Sequence, residues 1–108
     1  MATVVKLVRL NNLLYNPNRD PEIYRRVPNK PFRIQARLDG RGAARAQVRV
    51  DGETQARCDQ TITMPDTFTC EFAFDTPGTR MAVLVVDSDG QTFRQDLRLD
   101  VMPHSWVG

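Results

Sequence analysis

Few side chains in this sequence could carry chemistry. The usable nucleophiles and bases are Cys58, Cys70, Ser88, Ser105 and His104, and groups of this kind act only within hydrogen-bond reach of one another. His104 and Ser105 are chain neighbours, and adjacent side chains of an extended segment point apart, so they do not make a catalytic pair. Carboxylate pairs for sugar hydrolysis are defined by their separation in space, which a sequence leaves open. No enzyme is expected. With no CxxC pair and one distant histidine, neither a metal site nor a cofactor is predicted. Asp87-Ser88-Asp89-Gly90 opens like a calcium loop but lacks the third oxygen ligand and the later glutamate, so a hairpin turn explains it better. Eleven residues separate Cys58 from Cys70. Cys70 falls in phase with Phe68, Phe72 and Phe74, which predicts two core thiols first and a Cys58–Cys70 disulfide second.

Short alternating segments must position these groups. Phe32, Ile34, Ala36 and Leu38 alternate with polar residues, as do Ala46, Val48 and Val50, then Phe68, Cys70, Phe72 and Phe74. Met81 to Val86 is apolar at nearly every position and reads as a strand covered on both faces. Asp89-Gly90 suits a two-residue turn into Phe93, Leu97, Leu99 and Val101. Asp51-Gly52 predicts another hairpin, with Thr54 to Cys58 as the return strand. The first strand lies within Thr3 to Leu10, where the apolar residues fit neither face cleanly and suggest a bulge. Asn11 to Pro31, with four prolines, reads as a long loop containing at most a short edge strand at Ile23 to Val27. About seven strands without a helical period predict an all-β Greek-key sandwich, one domain over 1–108 with a proline-rich loop at 11–31.

The chain has 108 residues, 41% hydrophobic and 26% charged, with no stretch resembling a membrane span. The net charge is +2. Residues 1–57 hold twelve basic and five acidic side chains, and residues 58–108 hold three and eight. Strands from both halves interleave in a sandwich, so this imbalance need not become a surface dipole. The start of the chain lacks the pattern of a secretory signal, which predicts a cytoplasmic location if the N-terminus is native and a secreted or periplasmic one otherwise.

Three stretches, Phe74 to Arg80, Val85 to Thr92 and Val27 to Ile34, resemble bacterial immunoglobulin-like and polycystic-kidney-disease-type domains. The resemblance implies an immunoglobulin-like sandwich serving as a binding or spacer module, with no catalytic residues to carry over. Candidate contacts are Tyr15, Tyr24, Arg25 and Arg26 in the proline-rich segment and Trp106 near the end. Arg33, Arg37, Arg45 and Arg49 face outward in two pairs that could grip an anion, though a nucleic-acid surface would carry more positive charge and more aromatic platforms. The expected role is protein interaction or structure, through a protein partner or self-association at an edge strand, without nucleic acid or membrane. The alternative is carbohydrate binding, which requires coplanar exposed aromatics.

Overall fold

The computed structural model describes residues 4–16 and 24–103. Its strands are β1 (Val5–Leu10), β2 (Leu13–Leu14), β3 (Phe32–Leu38), β4 (Ala43–Val50), β5 (Cys58–Thr63), β6 (Asp66–Phe72), β7 (Gly78–Ser88) and β8 (Gln91–Val101). They form two antiparallel sheets, in the orders β2-β1-β3-β6 and β5-β4-β7-β8, packed face to face as a β-sandwich. The chain changes sheet between β3 and β4, between β5 and β6, and between β6 and β7.

Period-two patterning builds the core between the sheets. Phe32, Ile34, Ala36 and Leu38 of β3 face Ala46 and Val48 of β4, Leu84 and Val86 of β7, and Leu97 and Leu99 of β8, all essentially without solvent contact. Burying a side chain such as Phe32 or Leu84 contributes roughly 1.5–3 kcal/mol relative to exposure. In β1 the register against β3 shifts between Val5 and Leu7, so the expected bulge is present and lets Val5, Val8 and Leu10 all point inward. Across the β7–β8 turn, Asp89 and Gly90 take φ angles of 52° and 78°, as the two-residue hairpin requires.

Four expectations about the strands need correction. The proline-rich segment is not strandless at its start, because Asn11 and Asn12 adopt φ of 55° and 71° and turn β1 back into β2; asparagine tolerates this left-handed backbone. Its later edge strand reduces to one parallel bridge, Arg26 to Val101, with Ile23 outside the described residues. Thr54 to Arg57 forms a wide loop, and the return strand starts at Cys58 opposite Val48. Arg57 draws that loop across the end of the sandwich, its guanidinium lying 5.3 Å from the Phe72 ring centre and 5.0 Å from that of Phe74. Finally, β7 is covered on one face. Val83 and Val85 are half-buried and Met81 is 43% exposed on the outer surface.

Cys58 and Cys70 are joined in a disulfide, with Cα atoms 6.1 Å apart. This corrects the expectation of two free core thiols. Although only twelve positions apart, the cysteines sit on β5 and β6, which belong to different sheets, so the bond staples the sandwich along one flank. Chain entropy alone makes such a short loop worth about 3 kcal/mol.

Candidate functional site

The proline-rich segment was expected to offer Tyr15, Tyr24, Arg25 and Arg26 to a partner. The structure brings these residues together, but as a latch across the flank opposite the disulfide. Tyr24 is 3% exposed. Its hydroxyl donates to the Leu14 carbonyl at 2.8 Å and accepts from the Asn16 N–H at 3.1 Å. Its ring centre lies 5.4 Å from that of half-buried Tyr15, whose hydroxyl accepts from the Arg98 N–H of β8 at 3.4 Å. Arg26 extends the latch: its N–H donates to the Asp100 carbonyl, its carbonyl accepts from the Met102 N–H, both at 3.0 Å, and its Nε donates to the Pro31 carbonyl. Arg25 is half-buried beside it, its carbonyl accepting from Arg26 Nη1. The Tyr24 side chain is therefore a core element and not a surface anchor. Trp106 lies outside the described residues.

Asn11 completes the latch. Its Nδ2 donates to the Tyr24 carbonyl at 2.9 Å, and its Oδ1 accepts from the Arg33 N–H at 3.0 Å. This buried amide satisfies backbone groups that would otherwise be orphaned. The signal missed in the sequence was the Asn11-Asn12 pair, which is a turn motif as readable as Asp89-Gly90.

The outward arginines are scattered and mostly matched by carboxylates. Arg33 meets Glu71 and Arg37 meets Asp39, each at 3.2 Å. Arg45 binds Asp59 through two bonds of 2.9 and 2.7 Å, and Gln47 donates to the same carboxylate at 3.0 Å. The Arg45 bond, reinforced by Gln47, pulls Asp59 from the ordinary 3.8 to about 2, and it raises Arg45 in turn. Glu53 is lowered by its hydrogen bond from Arg57. These pairs leave little of the expected anion grip on β3 and β4.

What remains open is part of the β8 edge. Ser88 stands opposite Gln91 across the hairpin turn, so odd-numbered residues of β8 direct their N–H and C=O groups to β7 and even-numbered residues direct theirs outward. The latch bonds to Arg98, Asp100 and Met102 agree with this parity. They cover the edge from Arg98 onward, while Thr92, Arg94 and Asp96 have no strand beside them among the described residues. The Gln95 side chain donates to the outward carbonyl of Asp96 at 3.0 Å. Next to this stretch lies an open groove of about 260 Å³ lined by Leu7, Val8, Leu14, Tyr15, Phe93 and Gln95. Leu14, one of its lining residues, is 54% exposed.

No group of acids, cysteines or histidine among the described residues could hold a metal ion, and no described helix is long and apolar enough to cross a membrane. No protein-family model, curated protein or solved structure matches the chain.

Proposed function

We propose that this chain is a non-catalytic protein-interaction module that accepts an extended strand along the open half of β8. The observation that carries this reading is the run of outward backbone groups at Thr92, Arg94 and Asp96, which has no strand beside it among the described residues and adjoins the groove holding the exposed Leu14. Strand addition draws affinity from main-chain hydrogen bonds and selectivity from alternate side chains, and an edge flanked by an apolar groove supplies both. The sheet orders support an immunoglobulin-type module, with β1, β3 and β6 in one layer and β4, β7 and β8 in the other. The Cys58–Cys70 bond supports work in an oxidising compartment, secreted or periplasmic, where such a bond persists. Carbohydrate binding draws no support from Tyr15 and Tyr24, whose rings are committed to the latch.

Arg94→Pro tests the reading, since proline removes an outward N–H and obstructs an incoming strand while its side-chain position stays solvent-facing. In capture from the native extract, the folded variant is expected to lose the partners that the wild-type chain retains. Equal recovery by both would remove strand addition at β8.

A further inference from the structure

We infer that the strand received at this edge is the β8 of a second copy, paired antiparallel about a two-fold axis at Gln95. This rests on the strand-addition reading and names its partner. Two identical strands meeting in this way place residues opposite one another with a constant sum of residue numbers, and pairing through outward groups requires even positions opposite even positions. The charges then separate the registers. Centred on Arg94, guanidinium faces guanidinium. Centred on Asp96, carboxylate faces carboxylate, and Arg94 faces the second copy's Arg98. Centred on Gln95, Arg94 of each copy faces Asp96 of the other, and Phe93 faces Leu97 on the inner side. A register centred on Leu97 would also match opposite charges, but it needs backbone groups of Arg98 and Asp100 that Tyr15 and Arg26 already hold.

The side chains of Arg94 and Asp96 are exposed on the outer face and have no hydrogen-bond or ion-pair partner among the described residues. Edges guarded against pairing usually carry like charges, especially lysine, which repel in every register. Arg94-Gln95-Asp96 instead repels in the two neighbouring registers and attracts in one, which is the charge logic of a specific self-contact. The Gln95 amide that occupies the Asp96 carbonyl is a flexible cap that an incoming N–H replaces. So few residues bury less than the roughly 1,200 Å² of a standard stable interface, so the dimer is weak and concentration-dependent.

Sedimentation velocity of the full oxidised chain over a concentration series tests the inference. The wild type is expected to show a monomer–dimer equilibrium. Arg94→Asp and Asp96→Arg each juxtapose like charges twice and should weaken it at least about tenfold, with thermal midpoints unchanged because both sites are exposed. Mixing the two variants re-forms both opposite-charge pairs, so a heterodimer should appear where neither variant associates alone. A wild type that stays monomeric throughout, variants that associate as the wild type does, or a mixture without dimer would each overturn the second copy as occupant. If Arg94→Pro then still abolishes capture of a different protein, strand addition survives; if it does not, both readings fall.

Discussion

The two flanks of the sandwich solve the same problem with different chemistry. Every sheet of this kind ends in edge strands whose backbone groups lack partners. On the β5–β6 flank, the edges of opposite sheets are joined by Cys58–Cys70, and the neighbouring end is packed by Phe32, Phe72 and Phe74 under Arg57 and Arg80. On the β2–β8 flank, no covalent bond is present, and Tyr15, Tyr24, Asn11 and Arg26 close the upper edge by hydrogen bonding. A covalent staple fixes its flank whatever the surroundings. A latch made of hydrogen bonds reaches only as far as its donors, and among the described residues its bonds to β8 begin at Arg98.

The largest effect separating the flanks comes from removing the staple. Replacing both cysteines by alanine, or reducing the bond, is expected to cost about 3 kcal/mol and to lower the thermal midpoint by roughly 10–20 °C for a domain this size. Hydrogen exchange should accelerate first at β5 and β6, while the amides at Arg98 and Met102 keep their protection. Simultaneous loss at both flanks would show that the latch has no stability of its own.

Asn11→Ala attacks the other side. It removes two buried bonds and places alanine at φ 55°, for an expected cost of about 2 kcal/mol. Exchange at the Arg26 and Met102 amides should rise in that variant and β5 should stay protected; a uniform response would erase the distinction between the flanks. Arg57→Ala, which strips the cation from Phe72 and Phe74 and the partner from Glu53, should cost about 1 kcal/mol in thermal unfolding.

The smallest effect is pH-dependent and sits on β5, on the outer face of the stapled flank. Asp59 on the outer face is held at about 2 against an ordinary 3.8, so its bonds to Arg45 and Gln47 favour the folded state above pH 3.8, and this contribution disappears as pH falls through about 2. The difference in thermal midpoint between the wild type and Asp59→Asn should narrow over that window. A difference that stays constant would mean that Asp59 acts through its shape and not through its charge.

Most strands were legible because their alternation is strong: Phe32 to Leu38 and Phe68 to Phe72 show which side chains face inward with no knowledge of their neighbours. Asp89-Gly90 was equally plain, since its turn demands positive φ and few residues accept it. Segments held by distant bonds were harder. Thr54 to Arg57 follows a plain turn signal at Asp51-Gly52, yet it forms a loop in which Arg57 packs on aromatic rings more than a dozen residues away. Tyr24 lies among prolines and charged residues, a setting that suggests a surface anchor, whereas the partners that hold it come from β2 and the turn before it.

By itself the sequence determined the β character, the inward faces and the hairpin turns, because each depends on side-chain period or on backbone freedom within a few residues. Only the tertiary structure decided that Cys58 and Cys70 bridge two sheets, that the tyrosines latch one flank, and that Arg94 and Asp96 lie on an edge with no strand beside it among the described residues. Those outcomes depend on which strands become neighbours in space, and that follows from the packing of the whole chain.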